Sequence, residues 1–438
     1  GPYDITINSN VNEIKIVNIL IGDIWLAGGQ SNMEWFVEAS LNAEEEIKNA
    51  NYPNIRIFDV PHKMSSLPQE NFEGGEWYEV TPNSIEQFSA VGYYFGRNIY
   101  QNINIPIGII GNNWGGTVVQ TWMSPKAFAG LSKYEKEIAK LKKVNLEKES
   151  QKSKTQFDSW LGDFYNLDQG IKNDKYIWAQ DDMDYSSWKE MRLPQVWELS
   201  GDTALFEKDG VVWFQRSFDV GNIDDEKEIK LSLGAIDDSD KTWINGELVG
   251  EMYNRYNKNR VYKIEKGILK QGKNSIVVRV EDYTGAGGFT ADKSDFFISI
   301  GEQKINLTGL WHYKIGMQPK TPLPKNIFGP NIFPTLLYNG MIYPMKDFPI
   351  KGVIWYQGES NVYNAFEYRE LFKRWIKDWR AVWHNPQLPF IWVQIANFGE
   401  EQLQPKESTW AELREAQEMA LELPNTKMIT SIDIGEGK

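Results

Sequence analysis

Residues Asp23–Trp35 read DIWLAGGQSNMEW, an apolar run that stops at two glycines and then presents Gln30, Ser31 and Asn32 in succession. A short apolar run ended by a turn signal is what a strand buried on both faces needs, and parallel sheets bury both faces. Similar runs recur at 54–60 (NIRIFDV), 105–116 (IPIGIIGNNWGG), 351–361 (KGVIWYQGESN), 389–398 (PFIWVQIANF) and 426–435 (TKMITSIDIG). Helix-like segments separate them: a Glu- and Ala-rich one from about Asn32, a buried one at 89–101, and two more at 365–383 and 408–421. Strand alternating with helix predicts an α/β domain with a parallel sheet covered on both sides. Residues 14–29 read as a strand pair, and GPYDITI opens the chain as a further strand.

The middle of the chain has another texture. Residues 130–175 are charged and helix-like, with the pattern of a solvated amphipathic helix. From Trp188 to Lys314 short alternating strands follow one another with Gly, Asn and Asp turns between them. Asn245-Gly246 within WINGEL, flanked by apolar residues, is a strong hairpin signal. The predicted organisation is an α/β domain in two parts, 1–175 and 319–438, interrupted by an all-β sandwich at 176–318.

The 438 residues carry a formal charge of −13, which argues against nucleic acid or an anionic membrane surface as partner. There is no cysteine, so disulfides and thiol chemistry are excluded, and the three histidines (His62, His312, His384) lack the spacing of a zinc site. No apolar run reaches the ~18 residues of a membrane-spanning helix. Aromatics make up 13% of the chain, with 18 tryptophans, enough to serve both buried strands and sugar-stacking clefts.

Ligands of open α/β sheets sit at the carboxyl ends of the strands, and three loops there carry chemistry. In the first, Ser31 stands where a helix begins; it reads either as an N-cap or as a nucleophile beside a helix N-terminus. It is not the G-x-S-x-G elbow, since Met33 occupies the second glycine's place. The second, Asn112–Thr117, contains Gly115 and Gly116, which let backbone N–H groups approach a ligand or simply make a tight turn. In the third, the amides of Gln357 and Asn361 could donate to an oxyanion with Glu359 orienting them, or lock the loop.

Taken together, GQSNMEW, SAVGYYFGRNI, IPIGIIGNNWGGTVVQTWMS, LYNGMIYPM, KGVIWYQGESN, LPFIWVQIANF and LREAQ resemble the sialate O-acetylesterase family of the SGNH hydrolase superfamily. The resemblance covers about 1–125 and 320–438; the middle region resembles the galactose-binding-like jelly roll of β-galactosidase-type glycoside hydrolases. It implies a flavodoxin-like SGNH hydrolase domain of three α/β/α layers. It implies Ser31 as nucleophile, with its own N–H, Gly116 (Gly115 being the neighbouring choice) and Gln357 (Asn361 second) around the oxyanion. Gln30 and Asn32 would fix the loop or touch the substrate. No metal or cofactor is needed, and an extracytoplasmic location is implied.

One element departs from that family. Its general base is a histidine in a D-x-x-H motif shortly after DIG, and here the sequence reads SIDIGEGK up to Lys438. The base and its carboxylate are therefore expected beyond Lys438, and Asp433, on the preceding strand, is not their substitute. The three histidines read as structural or exposed and not as catalytic, His62 being the least remote from the site because it follows the strand NIRIFDV. The expected activity is removal of O-acetyl groups from carbohydrates, sialic acids first, with plant polysaccharide such as xylan as the alternative within esterases. A glycan-binding protein without catalysis is the competing class. The partner is an acetylated carbohydrate; the oligomeric state is not legible.

Overall fold

The computed structural model describes residues 1–223, 227–256, 258–324, 329–398, 404 and 406–432. They divide into two compact units, one of residues 1–150 with 326–438, the other of residues 151–325.

The first unit is built on a seven-stranded sheet. Across it lie Thr426–Ile429, Phe390–Val393, Gly352–Tyr356, Asp23–Gly29, Ile107–Asn113, Tyr52–Asp59 and Trp77–Val80. All neighbours run parallel except the last pair. Side chains alternate between the two faces, and each face has its own core. Leu26, Ile110, Val353 and Trp355 pack with Phe372, Trp375 and Trp379 of helix Ala365–Val382. Ala27, Ile107, Ile109 and Ile354 pack with Met33 and with Tyr93 of helix Ala90–Ile103. The α/β expectation therefore holds.

The order of the sheet departs from the flavodoxin pattern. There the first strand separates the second from the third; here Ile107–Asn113, third of the parallel strands, lies between Asp23–Gly29 and Tyr52–Asp59. Burial explains the placing. Every residue of Ile107–Asn113 is buried, whereas Tyr52–Asp59 is only partly so and suits the outer position. Two local expectations also change. Glu13–Ile19 pairs with Tyr3–Asn8 in a separate, exposed hairpin, not with Asp23–Gly29. The helix expected from Asn32 breaks into Ser31–Glu34, a 3₁₀ turn at Val37–Ala39 and Ala43–Lys48.

The second unit is a sandwich of a six-stranded and a five-stranded sheet, all pairs antiparallel. Phe214, Leu231, Leu233, Val278, Ile298 and Trp311 fill the core between them. The hairpin at Asn245-Gly246 forms as expected: both residues have positive φ, 51° and 85°, which is the type I′ geometry that matches strand twist. The other face of the six-stranded sheet carries a second cluster with Trp160, Phe164, Trp178, Trp188, Trp213 and Trp243. Trp160 and Phe164 belong to helix Leu146–Asn166. Their burial there draws most of that charged helix into this unit, so the boundaries fall at 150 and 325 instead of 175 and 318.

Candidate active site

The two glycines of the opening stretch end the Asp23–Gly29 strand between two other strand ends. Gly28 and Gly29 stand opposite Asn112 and Asn113 on one side, and opposite Trp355 and Tyr356 on the other. Gly29 has φ +148°, and a Cβ there would lie 2.1 Å from the Tyr356 carbonyl oxygen, so only glycine fits. Backbone bonds tie the three loops just beyond: Gln30 N–H donates to the Tyr356 carbonyl (3.0 Å) and Trp114 N–H to that of Gly29 (3.1 Å).

Ser31 follows, exposed, as the first residue of the four-residue helix Ser31–Glu34; the N-cap position belongs to Gln30, whose side chain makes no capping bond. Among the described residues nothing bonds to the Ser31 hydroxyl, and nothing accepts its N–H. One turn is too short for an appreciable macrodipole. Stabilisation of an anion at this edge must come from individual N–H groups.

The flanking amides are fasteners. Gln30 is buried, and its Oε1 accepts the N–H groups of Gly358 and Ser360, each at 3.3 Å. Asn32 Nδ2 donates to Glu359 Oε1 at 2.7 Å. Burial pushes the Glu359 carboxyl up from its ordinary value, against the pull of the Asn32 bond, and its Oε2 is buried without a partner among the described residues.

The two glycines of the second loop have different duties. Gly115 N–H donates to Glu34 Oε2 at 2.5 Å. Gly116 is exposed with φ +72°, and no group among the described residues accepts its N–H. The Asn331 side chain donates to the carbonyls of Gly115 (3.3 Å) and Gly116 (2.9 Å), which holds the loop from the other side. Gly115 is also near the serine: a Cβ built on it would lie 3.6 Å from Ser31 Cβ and 3.0 Å from Glu34 Oε2.

Gln357 and Asn361 do not present donors. Both are fully buried. Gln357 Nε2 spends its two hydrogens on the Thr117 carbonyl (3.0 Å) and Asn361 Oδ1 (2.7 Å), while its Oε1 accepts the Tyr368 hydroxyl (3.0 Å). Asn361 Nδ2 donates to Gln120 Oε1 at 2.9 Å, and its Oδ1 also accepts Val119 N–H at 2.9 Å. Gln357, with both amide hydrogens engaged, has none for an oxyanion, and Asn361, fully buried with its Nδ2 on Gln120, locks the loop with it, so the expectation for Gln357 is corrected from donor to loop lock. Asn113, buried at the end of its strand, has a side-chain amide with no hydrogen bond among the described residues.

The histidines separate clearly. His62 lies at the carboxyl edge, its ring stacked on Trp114 (centroids 4.2 Å apart, planes 7° apart). Its Nε2 sits 2.8 Å from the Asn113 carbonyl and 3.9 Å from Glu34 Oε1, both acceptors, so that nitrogen carries the proton. His384 follows helix Ala365–Val382, at the opposite edge of the sheet from Ser31, and His312 belongs to strand Gly309–Met317 of the sandwich. Asp433 falls outside the described residues. Among the described residues no group of three or more His, Asp or Glu is arranged to hold a metal ion, and no helix is long and apolar enough to cross a membrane. Glu34 was missed by sequence reasoning, whereas the placing of His62 after the strand NIRIFDV put it near the site. The available signal for Glu34 was a carboxylate three residues after Ser31, in the same turn.

Comparison with known proteins assigns the two textures separately. Residues 327–438 match the carbohydrate esterase family of sialic acid-specific acetylesterases. Residues 172–286 match the second all-β domain of β-galactosidase. The sialate O-acetylesterases of Rattus norvegicus and Homo sapiens are each 31% identical to this chain over 139 residues, 29% of it. Those matches cover 26% and 27% of the two relatives, so about a quarter of their length is represented. A crystal structure of a carbohydrate acetylesterase from Xanthomonas citri aligns with 100% of this chain and 56% of its own, at TM-score 0.52 and 23% identity; it supports the fold. The resemblance to sialate O-acetylesterases with an inserted β-galactosidase-like domain is thereby borne out.

Proposed function

We propose that this chain is a serine esterase of the SGNH type that removes O-acetyl groups from carbohydrates, O-acetylated sialic acids first among them. The observation that carries the reading is the exposed Ser31 hydroxyl at the carboxyl edge, unengaged among the described residues, as are two N–H groups beside it, its own and that of Gly116. Ser31 Oγ attacks the acetyl carbonyl, and the negative charge that develops on oxygen is received by those N–H groups, each worth about 3 kcal/mol in such sites. With Gln357 engaged elsewhere, the third place falls to the Asn113 amide. Collapse releases the sugar hydroxyl and leaves acetyl-Ser31, which water then hydrolyses. A serine hydroxyl needs an adjacent base near neutral pH, and His62, donating from the nitrogen that faces the site, is not that base. The resemblance assigns that role to a histidine of a D-x-x-H motif. The family match to sialic acid-specific acetylesterases favours sialic acid over xylan, and an extracytoplasmic location accords with it.

Glycan binding without turnover is the second reading, favoured by the lack of a suitably oriented base among the described residues. Acetate release from O-acetylated sialic acid and from acetylated xylo-oligosaccharide, by the chain and by Ser31→Ala, decides. Release abolished in the variant establishes the esterase. Saturable sugar binding with no release from either protein refutes it.

A further inference from the structure

The nucleophile and the oxyanion loop come from different strands, more than eighty residues apart in the chain, yet they must agree to within a fraction of an ångström for the transition state to be met. One side chain spans that gap. Glu34 lies in the same turn as Ser31, and its Oε2 takes the Gly115 N–H at 2.5 Å. Its Oε1 faces His62 Nε2 at 3.9 Å, the nitrogen bonded to the Asn113 carbonyl one residue before Trp114. Trp114 carries the His62 ring on its face, and Asn331 holds the carbonyls of Gly115 and Gly116. Among the described residues nothing else joins the serine's turn to the Gly115 N–H.

We infer that Glu34 is the positioning residue of the oxyanion hole. By capturing the Gly115 N–H, its carboxylate withdraws that donor from the reacting oxygen, orients the Gly115–Gly116 peptide and leaves the Gly116 N–H as the one aimed at substrate. The inference rests on the serine-esterase reading and adds a residue that does not touch substrate. A partly buried carboxylate needed only for stability would have no reason to prefer the transition state over bound substrate. A positioning residue alters kcat and leaves KM nearly unchanged.

The test is steady-state acetate release by the full chain, by Ser31→Ala, and by Glu34→Met and Glu34→Gln, with thermal unfolding recorded for each. Methionine keeps the volume and removes the acceptor; glutamine keeps an oxygen for the Gly115 N–H. Wild-type turnover abolished in Ser31→Ala secures the underlying reading. Glu34→Met is then expected to lose ~100-fold in kcat with KM changed less than about 3-fold, the scale of one misaligned donor. Glu34→Gln is expected to recover kcat to within about 5-fold of wild type. Unchanged kcat in Glu34→Met, a loss confined to KM, or a Glu34→Gln as impaired as the methionine variant overturns the inference while the esterase reading stands. Should Glu34→Met fail to fold, the glutamine variant alone decides by the same 5-fold bound. A wild type that releases no acetate overturns both.

Discussion

Replacing Gln357 by leucine separates a loop lock from an oxyanion donor. The side chain makes three hydrogen bonds, to the Thr117 carbonyl, Asn361 Oδ1 and the Tyr368 hydroxyl, and is fully buried. Each such bond contributes about 1 kcal/mol net, and each buried partner left unmet costs about 1–3 kcal/mol. The expected loss is therefore ~3–6 kcal/mol, a large part of the ~5–15 kcal/mol that holds a typical domain together. Glutamate should be worse than leucine. It places a buried carboxylate opposite two acceptors, the Thr117 carbonyl and Asn361 Oδ1, with no hydrogen to give either. Urea unfolding followed by tryptophan fluorescence reads the effect as a midpoint shift of more than ~1 M for a slope of about 3 kcal/mol per molar. Activity at low temperature, normalised to folded protein, reads the other quantity. A leucine variant with the wild-type midpoint and kcat lowered ~100-fold would refute the lock and restore Gln357 as a donor.

Three other outcomes are expected. His62→Ala should lower kcat by less than about 10-fold, because its Nε2 donates and does not take a proton; a loss near 10⁴-fold would make it the base. Asp168→Ala should destabilise the sandwich unit by ~3–5 kcal/mol, since it strips Trp213 Nε1 and the buried Arg279 of a shared carboxylate, and a near-neutral result in thermal unfolding would contradict that. In the same unit, burial first, and then the neighbouring Asp209, Asp238, Asp237 and Glu198, push the Asp282 carboxyl up to about 8. Its folded value is above its unfolded value, so its contribution is full below about pH 4 and is lost as pH rises through 8. The melting temperature of the unit should fall between pH 5 and pH 9, less so in Asp282→Asn, and equal slopes in the two proteins would count against the assignment.

The strands of the sheet were legible because they are apolar runs closed by glycine, a signal that depends only on neighbours in the chain. Which strands adjoin was not. Tyr3–Asn8 and Glu13–Ile19 alternate and end like any sheet strand, and only the exposure of both reveals a detached hairpin. Ser31 stood out because a serine leaving a buried strand is unusual. The duties of Gln357 and Gly115 were hidden because they depend on partners at Thr117 and Glu34, more than eighty residues away in one case and more than two hundred in the other. Residue type says what an amide can donate; only the fold says whether its hydrogens are already taken.

The interruption of the sheet by the sandwich also has a consequence on the ribosome. Asp23–Gly29 and Ile107–Asn113 emerge early, but Gly352–Tyr356, the other neighbour of Asp23–Gly29, follows Asn113 by roughly 240 residues. At about 5–20 residues per second that interval lasts roughly 12–50 s. Throughout it, one edge of an apolar strand stands open, the condition under which nascent chains recruit holdase chaperones or join one another. Yield in a foreign host should accordingly be governed by translation speed and chaperone supply more than by the stability of the finished protein.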